Sequence, residues 1–146
     1  MRRIGTGMLL AAAGTAGIAV TVRQQLHPGS SAHSATYLLD VLAVALTAVG
    51  IVLEVRAAEI LISAGLLRAK RRAILCAVAG IVVGLAGCWL ATGLIRRDAS
   101  AAAVGLASAA MAAGVGFGLA GLVSLGWSVG GDYAARRVQE LGEEEW

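Results

Sequence analysis

The sequence is short of charge. Asp, Glu, Lys and Arg make up 14% of its 146 residues, where a soluble domain carries about 25%. With 58% hydrophobic residues and a mean hydropathy of +0.80, a soluble core of this size could not hide the apolar side chains. That excludes an ordinary soluble domain and places the chain in a lipid bilayer. Aromatics are scarce at 4%. No basic patch with interleaved aromatics exists, so the net charge of +3 does not signal nucleic acid. Proline occurs once, at Pro28. Short alternating segments with turn signals are missing too, which excludes a transmembrane barrel.

Cysteine and histidine are equally sparse. Cys76 and Cys88 fall in one apolar run, twelve residues apart. Within one straight helix they cannot bond each other, and they are expected to be buried, inert thiols. His27 and His33 lie in the first loop, with no convincing third ligand for a metal. No histidine sits in an apolar segment to hold a haem. There is no HExxH, no P-loop and no nucleophile–base constellation, so neither enzyme chemistry nor a cofactor is expected.

Glycine and alanine are abundant instead, with 20 Gly. Small residues let helices approach backbone to backbone in lipid. Four apolar segments can be drawn, at residues 4–22, 36–67, 73–95 and 99–129, each reaching the roughly 20 residues that cross a bilayer. The first has features of a signal peptide, but it is longer than a usual apolar region of that kind and is read as a span. The sequence therefore predicts an all-α, four-transmembrane-helix bundle with short loops. Residues 132–146 are expected to form a short cytoplasmic helix, capped by Asp132 and ended by Gly142, with an acidic tail.

Basic residues set the orientation. One side would hold Arg2, Arg3, Arg68, Lys70, Arg71, Arg72, Arg136 and Arg137; the other, Arg23, Arg96 and Arg97. Both termini are thus expected in the cytoplasm, in a prokaryotic or viral plasma membrane.

The stretch "LEVRAAEI", residues 53–60, interrupts the second apolar segment with Glu54, Arg56 and Glu59. If the basic cluster Arg68–Arg72 forms the turn into the third segment, these charges fall near mid-membrane. Each would cost at least roughly 2.5–3.5 kcal/mol against lipid. Arg56 and Glu59 share a helix face and are expected to form an intramembrane ion pair. Glu54 points almost the opposite way, on a stripe with Asp40 and Thr47, and no basic residue matches its depth in the other segments. It is the candidate for proton or ion coupling; its other role would be a hydrogen bond to a neighbouring helix. With polar groups on two faces, the second helix is expected at the centre of the assembly, between its own bundle and a partner.

"GFGLAG", Gly116–Gly121, matches a dinucleotide fingerprint only formally, since no strand precedes it. Three GxxxG pairs, Gly80 with Gly84, Gly114 with Gly118, and Gly126 with Gly130, are candidates for close helix packing. The order of "RQQ" and the membrane carboxylate differs from that of rotary-ATPase proteolipids, and the first segment lacks the glutamate of small multidrug transporters. The leading expectation is a non-enzymatic, accessory or self-assembling membrane subunit acting through its polar second span. Its partners would be the bilayer and either its own copies or a larger membrane complex. Alternatives are a small proton- or cation-coupled transporter or channel using Glu54, and a phage or viral membrane protein such as a holin.

Overall fold

Long runs of Ala, Leu, Val and Gly without proline give a helix no cause to stop. In lipid, each backbone N–H and C=O has to be satisfied within its own segment. The computed structural model is accordingly helical: α1 Arg2–Gln25, α2 Ser31–Ser63, α3 Leu67–Arg96 and α4 Ala101–Glu143. It describes residues 2–26, 31–63 and 67–143, with side chains over 3–26, 36–61 and 70–130. Four stretches are long and apolar enough to cross a membrane: Arg3–Gln25, Thr36–Leu61, Lys70–Arg96 and Ala101–Gly130. They pack as a bundle with short loops. The chain is a small four-span membrane protein.

Two boundaries differ from expectation. α2 is described as far as Ser63 and α3 from Leu67. The basic cluster Arg68–Arg72 is not the turn; it forms the first turns of α3. At the other end, α4 runs unbroken past Asp132 to Glu143. The tail is a continuation of the fourth helix and not a helix with its own cap at Asp132. Residues 144–146, His27 and the side chain of His33 lie outside the described residues.

The α3–α4 connection is tightly specified. Ala99 N–H donates to the Leu94 carbonyl at 3.1 Å and Asp98 N–H to the Ile95 carbonyl at 3.3 Å. This is the paired Schellman pattern that satisfies the last carbonyls of a helix. Asp98 takes the left-handed position, with φ of 49°, which Asp tolerates better than most residues. Ser100 then caps α4: its carbonyl accepts from Ala103 N–H at 2.9 Å, and its hydroxyl lies 3.4 Å from the same donor.

α4 is the hub. Among the described residues it packs most extensively on α3, then on α1, and also touches α2; α1 packs on α2; α2 barely meets α3, and α1 and α3 do not meet. In its apolar window 39% of α4 is buried, against 17% of α2. Within the single chain the central helix is thus α4 and not α2. α4 carries Ala, Gly and Ser on several faces, so three neighbours can come close. α2 carries large side chains such as Leu38, Val41, Val44 and Val52, which are exposed in the chain. The serines of α4 need no partner helix. Ser108 and Ser124 donate to the carbonyls of Val104 and Ala120, at 2.9 and 2.7 Å, the back-bonding open to hydroxyls in a helix.

Candidate functional site

α1 and α2 run antiparallel in a clear register. Gly5 stands against Leu53 and Glu54, where an added Cβ would be 3.1 Å from the Glu54 amide nitrogen. A side chain here would make α2 give by a few tenths of an ångström, so glycine suits this approach. One turn on, Leu9 packs against Gly50 and also reaches Gly116 of α4. At the far end Arg23 meets Asp40 and Thr36.

That register fixes the level of Glu54. The span Arg3–Gln25 has its middle at Gly14, level with Ala45. Glu54 is nine residues further, about 13 Å along the axis. Half of a hydrocarbon core is about 15 Å. Glu54 thus lies near the N-terminal end of the α1 span and seven residues inside the end of the α2 span Thr36–Leu61, in the half of the bundle that holds the N-terminus. The mid-membrane reading rested on a turn at 68–72, and those residues are helical in α3.

Glu54 is half-buried, and its Oε1 accepts a short hydrogen bond from the Thr6 hydroxyl. It lines a cleft of about 230 Å³ to which all four helices contribute. Thr6 comes from α1; Glu54 and Ala58 from α2; Arg72 and Cys76 from α3; Phe117 from α4. Arg72 is the cation that the sequence reading did not place near Glu54. The two line one cleft without forming an ion pair. Ser124, buried on the α4 wall, uses its hydroxyl proton on its own helix.

The cleft ends one turn above Glu54. Leu9 is 2% exposed and sits between Gly50 and Gly116, filling the space between α1, α2 and α4.

Arg56 and Glu59 do approach each other, with Nη1–Oε2 at 3.4 Å. Their side chains are 71% and 41% exposed, on the outer side of α2. At the opposite end Arg23 pairs with Asp40, donates to Thr36 Oγ1 at 3.2 Å and lies 5.1 Å from the Tyr37 ring centroid. Thr47 donates to the Ala43 carbonyl at 2.7 Å. Every polar side chain just named on α2 has its partner within the chain.

Gly80, Gly84, Gly114 and Gly118 meet at a single crossing of α3 and α4. A Cβ on Gly80 would lie 2.7 Å from the Gly114 carbonyl oxygen, and one on Gly114 would lie 2.7 Å from the Gly80 carbonyl oxygen. Gly126 and Gly130 are different: nothing lies within 4 Å of an added Cβ at either. Cys76 and Cys88, expected to be buried, are free and exposed. Among the described residues no three His, Cys, Asp or Glu side chains gather to hold a metal.

Thr6, Leu9 and Arg72 were not singled out from the sequence. Thr6 is the one hydroxyl in the first three turns of α1, a weak signal that becomes meaningful only once Gly5 brings α2 against it. No protein-family model matches the chain, and no curated protein or solved structure is measurably similar to it. Function has to be argued from the bundle itself.

Proposed function

We propose that the chain is a non-enzymatic membrane subunit that assembles with copies of itself, both termini lying in the cytoplasm. The observation that carries this reading is the outer face of α1. Gly7 and Gly14 have nothing within 4 Å of an added Cβ, and Ala11 between them is exposed. These three fall within about 60° of one another around the helix. Ile4, Leu10 and Ile18, each more than half exposed, flank them. A shallow strip of small residues between large ones is the surface that lets a second transmembrane helix approach closely.

This moves the assembly face from α2 to α1. The polar groups of α2 are satisfied internally, so they call for no second chain. The orientation rests on the basic residues, which cluster on the side of both termini.

Coupled transport through Glu54 is supported less well. A coupling carboxyl has to be reached from both sides in turn, and Leu9 closes the bundle one turn beyond it.

The test is the mass of the purified full-length protein in mild detergent, for wild type and for Gly7→Leu/Gly14→Leu. A defined oligomer in wild type that falls to monomer in the double variant, with helicity unchanged, is the expected result. The open space at both positions means the fold can take the leucines. A wild-type protein that stays monomeric at every detergent-to-protein ratio would sink the proposal.

A further inference from the structure

The cleft at Glu54 does not stand alone. Cys76 and Phe117 on its wall also line a second groove, of about 330 Å³, along the α3–α4 seam. That groove is wholly different in character. Leu75, Ala79 and Val83 form one side and Ala113 and Gly114 part of the other, with no ionisable side chain but the Cys76 thiol. It starts at the level of the cleft and runs from Leu75 to Val83, about 12 Å along α3. Val83 is the middle residue of the span Lys70–Arg96. The groove therefore leads from near the start of the apolar span of α3 to its middle. Ala79 and Ala113 line it with small side chains, where larger ones would fill the space.

The polar end carries one carboxylate and one guanidinium that are not ion-paired with each other. Glu54 keeps one carboxylate oxygen on Thr6, leaving the other to accept. Arg72 is exposed and presents the planar donor fork suited to a phosphate. An occupant that matches this arrangement has an ammonium, an adjacent phosphate and an apolar tail on the same molecule.

We propose that the joined cleft and groove bind an aminophospholipid of the bilayer. The ammonium of an ethanolamine head group donates to Glu54, the phosphate sits at Arg72, and one acyl chain lies along the α3–α4 groove past Phe117. Charge complementarity selects the head group. A trimethylated choline has no N–H to give Glu54. A glycerol head group brings no cation to it and leaves the carboxylate facing a net negative lipid. The apolar lining selects a membrane lipid over a soluble zwitterion, because the groove runs along the α3 span as far as its middle residue, Val83.

Native mass spectrometry of the full-length protein tests this, with phosphatidylethanolamine, phosphatidylcholine and phosphatidylglycerol of identical acyl chains titrated separately. Wild type should retain the ethanolamine lipid about tenfold more tightly than either of the others, the scale of one charge-assisted hydrogen bond. Glu54→Gln should bring the three lipids to near equality. Arg72→Gln should weaken all three. Ala113→Trp, which fills the groove, should also weaken all three. Equal retention of the three lipids by wild type overturns the proposal, and that comparison needs no variant to fold. A preference for ethanolamine that survives Glu54→Gln overturns the assignment of the ammonium to that carboxylate, and with it the proposal.

Discussion

Alanine at Gly80 and alanine at Gly84 should act in opposite directions, although the two glycines lie one turn apart on the same face of α3. At Gly80 the new methyl would stand 2.7 Å from the Gly114 carbonyl oxygen, and closer still to the backbone of Gly118. Neither neighbour can step aside, because both are main chain. At Gly84 the nearest atom would be the Val115 amide nitrogen at 3.5 Å, an ordinary contact. Relieving the clash at Gly80 takes a separation of about 1 Å between α3 and α4, and a gap of that size forfeits a quarter to a half of each dispersion contact along the seam. Overpacking of this kind costs about 1–3 kcal/mol. Replacing a helical glycine returns at most about 1 kcal/mol. The net expectation for Gly80→Ala is a loss of about 1–2 kcal/mol, or roughly 5–30-fold in the folding equilibrium. Gly84→Ala should be neutral or slightly stabilising. On α4 the same contrast separates Gly114→Ala, which meets backbone, from Gly118→Ala, whose nearest atoms are at 3.4 Å. Unfolding of the full-length protein in mixed micelles of rising sodium dodecyl sulfate fraction would measure it, with tryptophan fluorescence and far-UV circular dichroism as probes. Equal losses at positions 80 and 84, or a wild-type midpoint for Gly80→Ala, would refute the packing argument.

Two further outcomes follow from the same geometry. Leu9→Ala should cost about 2–5 kcal/mol in the same unfolding assay, since it empties a closed site between Gly50 and Gly116. A double-mutant cycle on Arg23 and Asp40 should give a coupling of up to about 1 kcal/mol, whereas a cycle on the more exposed Arg56 and Glu59 should give less than about 0.5 kcal/mol. A larger coupling at Arg56–Glu59 would place that pair in a drier setting than its exposure indicates.

The readings of "LEVRAAEI" show where sequence reasoning ran out. The residues on each helix face followed from periodicity alone, and the approach of Arg56 to Glu59 needs only i,i+3 spacing. The level of Glu54 needed the location of one turn. Ascribing that turn to the charged cluster Arg68–Arg72, which is helical in α3, matched the second helix to the third and put Glu54 near mid-membrane. Gly5, Thr6 and Leu9 instead set the level of Glu54 against α1, in a register that no hydropathy profile encodes. The three GxxxG motifs look alike in sequence, yet two meet at one crossing and the third, Gly126 with Gly130, faces open space.

By itself the sequence determined the class of protein, the helical state and the number of spans. These depend on length and apolarity, and each helix satisfies its own backbone, so they can be read one segment at a time. The tertiary structure alone decided that α4 is the hub, that Glu54 shares a cleft with Thr6 and Arg72, and that this polar cleft opens into an apolar groove. In a bilayer a lipid tail and a leucine are equally apolar neighbours, so hydropathy does not choose which faces meet. Shape does, through the small residues that allow backbones to touch, and shape is a property of pairs of helices that exists only once they are assembled.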